Sequence, residues 1–112
     1  MSTPEGRIKA KVKRRLREEF GDAIWPFWPV QTGFGSVALD LLACISGLFV
    51  AIETKADKSK KLTPLQETTA ASIRSAGGLA LVVYDDETLD VAIETIKWKV
   101  KWHAPKMQLP PR

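Results

Sequence analysis

Leu39-Asp40-Leu41-Leu42-Ala43-Cys44-Ile45-Ser46-Gly47-Leu48-Phe49-Val50-Ala51-Ile52-Glu53-Thr54-Lys55 decides how the chain folds. Two apolar runs flank Ser46-Gly47, and a two-residue loop of that kind closes a β-hairpin. With Ile45 paired to Leu48, the register runs Cys44 to Phe49, Ala43 to Val50, Leu42 to Ala51 and Leu41 to Ile52. Asp40 then stands opposite Glu53. Directly opposed side chains share a face, with Cβ atoms about 4.5–5.5 Å apart. Lys55 lies two residues beyond Glu53 and points the same way. Two carboxylates and an ammonium thus gather at the open end of an apolar hairpin. Carboxylates so placed repel each other, and one takes up a proton unless a cation relieves them. The plainer alternative is a surface ion pair of Glu53 and Lys55, with Asp40 solvated at a strand end. Apolar neighbours on both faces speak against it, because charges there sit near a core.

The same stretch settles the question of a membrane span. Val37 to Ile52 is the most apolar segment of the chain, but Asp40 and Ser46-Gly47 interrupt it. It is also shorter than the roughly 20 residues a bilayer requires. Two buried strands, Ser36–Ile45 and Leu48–Lys55, are the expectation.

On the N-terminal side, Thr3-Pro4 opens a helix, with Thr3 as N-cap and proline in the first turn. Ile8, Val12, Leu16 and Phe20 recur every four residues as its buried stripe, and Gly21 ends it. Ala23–Val30 is aromatic and extended, with two prolines that demote it to an edge strand. Gln31-Thr32-Gly33-Phe34-Gly35 reads as a glycine loop. After the hairpin, Ala56–Leu62 is a polar loop and Pro64 to about Ala76 a helix that closes on Gly77-Gly78. Leu79–Tyr84 is an apolar run of buried-strand length. Asp85 and Asp86 cap a last helix with a core stripe of Leu89, Ala92, Ile93, Ile96 and Val100. The order α-β-β-β-α-β-α predicts an α/β fold in which helices flank a mixed central sheet.

The 112 residues suffice for one domain, expected over residues 1–103, with a proline-rich tail over 104–112. A formal charge of +4 and a pI near 9.4 point toward an anionic partner such as nucleic acid. Cys44 is the sole cysteine and His103 the sole histidine. An intramolecular disulfide, a cysteine-based zinc site and a multi-histidine metal site are therefore excluded. A bound metal must rely on oxygen ligands, which suits Mg²⁺ or Mn²⁺. The first residues lack the apolar core of a signal peptide, and a cytoplasmic protein without a membrane span is expected.

Asp40 followed by Ile52-Glu53-Thr54-Lys55 resembles the PD-(D/E)xK nuclease signature, although Leu39 stands where the signature has proline. The flanks extend the likeness: Gly33 and Gly35, then Gly47 to Lys55, then Leu62-Thr63-Pro64-Leu65-Gln66, then Ala76-Gly77-Gly78. Together, over roughly residues 4 to 84, they resemble the virus-type replication-repair nuclease (VRR-NUC) branch, which is similar to the Holliday-junction resolvases. The resemblance implies a restriction-endonuclease-like core and an endonuclease that cuts branched or structured DNA as a homodimer, leaving a 5′-phosphate and a 3′-hydroxyl. It implies that Asp40, Glu53 and the backbone carbonyl of Thr54 hold Mg²⁺ (or Mn²⁺), with Lys55 acting on the attacking water or the developing charge. The alternatives in the same sequence are a monomeric, structure-tolerant nicking DNase and an inactive nucleic-acid-binding accessory protein.

Further residues carry two readings each. Glu5 lies on the stripe of the first helix, where the family has a metal-completing glutamate; a carboxylate is also favoured there by the helix dipole. Gln66 matches a capping box with Thr63 and equally a family glutamine near the active site. Lys58, Lys60 and Lys61 leave directly from Lys55 and are expected on phosphates. The first helix carries Arg7, Lys9, Lys11, Lys13, Arg14, Arg15 and Arg17 with few acids nearby, which favours phosphate contacts, Lys9 and Lys13 among them. Trp98 and Trp102, one turn apart among lysines, suit a subunit interface or base stacking. Trp25, Phe27 and Trp28 are expected in the core or an interface.

Overall fold

The computed structural model describes residues 3–30 and 38–103; the glycine loop and the proline-rich tail lie outside them. Helix α1 spans Pro4–Phe20, and a single 3-10 turn over Gly21–Ala23 leads into strand β1, Ile24–Phe27. Strands β2 (Leu41–Ile45) and β3 (Leu48–Thr54) follow, then α2 (Pro64–Ser75), β4 (Leu79–Val83) and α3 (Asp86–His103). This is the α-β-β-β-α-β-α order expected from the sequence. β1 stops at Phe27, ahead of Pro29, and β2 begins only at Leu41, later than the expected Ser36; Asp40 lies in a bend.

The hairpin register is the one the turn dictates: Ile45 pairs with Leu48 and Leu41 with Ile52. Ser46 and Gly47 have φ of 50° and 88°, the positive pair that matches the twist of hairpin strands. The sheet order is β1-β2-β3-β4. β1 and β3 run antiparallel to β2, and β4 lies parallel to β3, because α2 provides the crossover a parallel pair needs. Period-two alternation then sorts the side chains. Leu41, Ala43, Ile45, Leu48, Val50 and Ile52 meet Val12 and Leu16 of α1 and Leu89, Ile93 and Ile96 of α3 on one face. Ala51 and Ala80 meet Ala70 of α2 on the other, where Leu39 joins them.

Three ion pairs join α1 to α3: Lys11–Asp86 at 3.0 Å, Arg15–Asp90 at 2.8 Å and Lys97–Glu19 at 2.6 Å. The expectation of few acids near the first-helix cations thus fails for Lys11 and Arg15. Their acids come from a helix some 75 residues away, which sequence neighbourhood does not reveal. Lys97 depresses the Glu19 carboxyl below its ordinary range, and Asp90 raises the Arg15 guanidinium.

Gly78 brings the end of α2 onto the sheet. A Cβ there would lie 2.9 Å from Ile73 Cγ2 and 3.1 Å from the Phe49 carbonyl. The carbonyl belongs to β3 and has little room to yield. Gly78→Val is therefore expected to cost about 1–3 kcal/mol, read as a lowered thermal midpoint with unchanged secondary structure by circular dichroism.

Candidate active site

The site forms where β3 ends and the chain enters β2. Asp40 and Glu53 are 9% and 4% exposed, and Thr54 is fully buried. Carboxylates this deep need partners, and each has several. The Asp40 N–H donates to Glu53 Oε1 at 3.0 Å. Thr54 donates to Asp40 Oδ2 twice, from its N–H at 3.0 Å and its hydroxyl at 2.6 Å. Glu53 Oε2 accepts from Gln66 Nε2 at 2.9 Å and lies 3.2 Å from the Lys55 ammonium. Lys55 Nζ also donates to Gln66 Oε1 at 3.0 Å.

One expectation is corrected here. Strict alternation would set both carboxylates side by side on the α2 face. Glu53 does face α2, through Gln66, but the Asp40 carboxylate turns toward Thr54 and toward α1, where Lys9 Nζ lies 3.7 Å from Oδ1. The cause is the loss of strand pairing before Leu41. Thr54 N–H has no β2 carbonyl to reach at that point, and the Asp40 side chain takes its place. The two carboxyl groups meet around the end of the sheet, linked by the Asp40 N–H.

The electrostatics follow from this crowding. Burial, and after it the Asp40 charge, push the Glu53 carboxyl above its ordinary range, against the opposing pull of Lys55. A cation near both acids would relieve that penalty. The Lys55 N–H is turned toward β4, where it donates to the Val83 carbonyl. Thr54, one residue earlier, directs its N–H the opposite way, and in an extended strand its carbonyl follows. Two carboxylates and one backbone carbonyl are all hard oxygen donors. Mg²⁺ is typically held by one or two carboxylates, the remaining positions going to water and substrate phosphate. The donor chemistry therefore fits such an ion.

Gln66 caps α2 and also touches Glu53 and Lys55. Its Oε1 accepts the Thr63 N–H at 3.1 Å while Thr63 Oγ1 accepts the Gln66 N–H at 3.1 Å, a complete capping box at the start of α2. The cap fixes the side chain whose amide touches Glu53 and Lys55. Gln66→Glu separates the two roles, because a glutamate keeps the capping box but sets a carboxylate oxygen against Glu53. Turnover of DNA is expected to fall about 10–100-fold, as for loss of a ligand-orienting partner, and the metal-free thermal midpoint to fall with it, because the new carboxylate repels the buried Glu53. A purely structural Gln66 would leave turnover intact.

Other expected site residues are placed apart from this group. Glu5 stands in the first turn of α1, one turn before Lys9 and so on the same side of the helix, but it does not join Asp40 and Glu53. Among the described residues no three acidic, histidine or cysteine side chains converge as a ligand set. Lys58, Lys60 and Lys61 are exposed on the loop after Lys55. Lys13 lies 4.7 Å over the ring of half-buried Trp28. Trp98 and Trp102 are 59% and 67% exposed and contact each other at 6.2 Å, and Trp25 and Phe27 stack in the open at 6.5 Å. Core packing is thus excluded for these four. Sequence reasoning missed the Thr54 hydroxyl, whose signal was a β-branched hydroxyl residue next to a buried acid. It also missed the Lys9 contact with Asp40, which only the placement of α1 creates.

No family model matches the chain, and no curated protein sequence does. Among solved structures, the chain is similar to one titled "VRR_NUC domain", with a TM-score of 0.70 and 30% sequence identity. The likeness covers 83% of this chain and 97% of that one.

Proposed function

The chain belongs to the VRR-NUC nuclease family, and from that premise we propose that it is a magnesium-dependent endonuclease of the PD-(D/E)xK type that cuts branched DNA as a homodimer. The observation that carries the reading is the group formed at the sheet end by buried Asp40 and Glu53 with half-buried Lys55 and Gln66, in a chain of restriction-endonuclease-like α/β fold. Asp40, Glu53 and the Thr54 carbonyl would hold the ion. Bound there, Mg²⁺ (or Mn²⁺) supplies Lewis-acid activation of the phosphate and a more acidic water.

The chain's own residues do the rest. Glu53 and Gln66 fix the Lys55 ammonium from two sides, so its charge is already in place when negative charge builds on the pentacovalent phosphorus. Thr54 holds one Asp40 oxygen still, which sets the direction of the other. The burial of both acids limits competing water. Lys58, Lys60 and Lys61 on the adjoining exposed loop supply phosphate contacts, which position DNA without reading its sequence. A domain this small has little chain left for base-reading elements, which favours recognition of DNA shape.

The homodimer draws support from α3. Val91, Trp98 and Trp102 are 59–67% exposed along its outer side, and exposed aromatic stripes commonly mark interfaces. Paired cuts across a symmetric junction need two sites related by a two-fold axis. The test incubates the protein with Mg²⁺ and a synthetic four-way junction, a flap or a plain duplex, beside Asp40→Asn and Lys55→Ala. Symmetric paired nicks confined to the junction are expected. Equal cutting of all three would replace the proposal with a structure-tolerant nicking DNase, and binding without cuts with an accessory protein.

A further inference from the structure

Lys9 sits on α1 with its ammonium 3.7 Å from Asp40 Oδ1, the side chain 36% exposed and that of Asp40 10%. Its neighbours on the helix are occupied elsewhere: Lys11 on Asp86, Arg15 on Asp90, Lys13 over Trp28. The two Asp40 oxygens are treated differently. Oδ2 receives two hydrogen bonds from Thr54, both at 3.0 Å or less. Oδ1 faces Lys9 at a distance too long for a directional hydrogen bond, so charge attraction alone holds the pair. The fixed oxygen orients the carboxylate, and the other is left to a partner on a flexible four-carbon stem.

We infer that Lys9 is a built-in counter-ion that occupies Asp40 Oδ1 until a divalent cation takes that oxygen, and is then released to a phosphate of bound DNA. The inference rests on the assignment of Asp40 as a metal-binding residue. An ammonium and a divalent ion repel each other and compete for one oxygen lone-pair region. The flexible and partly exposed member of the pair is the one that moves away. A third of its side chain already faces solvent, so the ammonium has room to swing off Asp40. The charge is thereby kept beside the acid in the empty site and beside the phosphate in the loaded one.

Two effects of opposite sign follow from removing Lys9. Metal should bind more tightly, because a competitor is gone. DNA should bind more weakly at saturating metal, because a phosphate contact is gone. A lysine that only scaffolds α1 would not produce this pair of effects. Lys13→Gln is the control, since it removes the same charge one turn away from a lysine held over Trp28.

The first readout is calorimetric titration of Mg²⁺ into DNA-free protein. Lys9→Gln, and Lys9→Met, which keeps the apolar stem, should bind Mg²⁺ about five- to tenfold more tightly than the unaltered chain. Lys13→Gln should stay within about twofold. The second readout is fluorescence anisotropy of a labelled four-way junction with saturating Mg²⁺, in a Lys55→Ala background that slows cutting, read before product accumulates. There Lys9→Gln should weaken binding and reduce the salt slope by about one. Equal metal affinities for the Lys9 and Lys13 variants, or an unchanged salt slope, would overturn the inference while leaving Asp40 as a ligand. No uptake by any variant, the unaltered chain included, would instead remove the Asp40 assignment itself.

Discussion

Asp40→Asn is expected to reduce strand cleavage by at least about a thousandfold while the protein remains folded. The two halves of that expectation come from different atoms. The asparagine carbonyl can replace Oδ2 as acceptor for the Thr54 N–H and hydroxyl, so the link between β3 and the segment before β2 survives. The amide replaces Oδ1, whose partner is the partly exposed Lys9 at 3.7 Å. A pair of that kind contributes about 1 kcal/mol or less. Removing the Asp40 charge also lifts one of the two main causes that hold the Glu53 carboxyl high. The metal-free thermal midpoint should therefore lie within a few degrees of the unaltered chain. On the proposed mechanism catalysis should collapse, because a neutral amide is a poor magnesium ligand and a bound ion would contribute several kcal/mol of transition-state stabilisation. A time course of junction nicking, run beside a melting curve in chelator, checks both halves. Cleavage within tenfold of the unaltered rate would remove Asp40 from the chemistry.

Lys55→Ala should lower turnover about 100- to 1,000-fold with little change in KM. The ammonium is held at 3.2 Å from Glu53 Oε2 and 3.0 Å from Gln66 Oε1, and its backbone N–H to Val83 is untouched by the substitution. Loss of one preorganised charge at the reacting phosphate costs about that much in turnover, whereas on the proposed reading substrate binding would be spread over the exposed lysines of the following loop. The substitution also takes away the cation that opposes burial of Glu53. Metal-free Lys55→Ala should thus melt below the unaltered protein, and added Mg²⁺ should restore part of the difference, since a ligand that binds the folded state stabilises it. Lys55→Arg should not rescue turnover, because a planar guanidinium cannot occupy the place of a compact ammonium between two fixed oxygens. Single-turnover rates and the Mg²⁺ dependence of the melting point are the measurements.

How far the sequence reaches can be traced residue by residue. Ser46-Gly47 fixes the hairpin register, because only two residues turn the chain and every later pairing follows by counting. That counting brings Asp40 level with Glu53. The stripes of α1 and α3 are legible for the same reason, since a period of 3.6 admits one buried face. Where the counting stops is also physical. It assumes that a strand continues, and β2 does not continue back to Asp40. The carboxylate therefore leaves the face that alternation assigns and satisfies Thr54 instead. The partners of Lys11, Arg15 and Lys9 were out of reach because each lies far along the chain. Gln66 was the opposite case: the cap read from the sequence is present, and it also aims the side chain at Glu53 and Lys55.

The exposed aromatic residues show a different limit. An aromatic pair one turn apart on a helix looks alike in sequence whether it packs inward or outward. Trp98 and Trp102 face outward because Leu89, Ile93 and Ile96 already fill the sheet-facing stripe of α3.

The most direct test is to locate the ion. Crystals of the protein grown with Mn²⁺ and a four-way junction, with data collected at the manganese absorption edge, should show an anomalous peak at the end of the sheet. The peak should lie about 2.1 Å from an oxygen each of Asp40 and Glu53 and from the Thr54 carbonyl, with the Lys9 ammonium withdrawn from Asp40. A fully loaded crystal with no manganese between those two carboxylates, or with the peak on another part of the surface, would contradict the account.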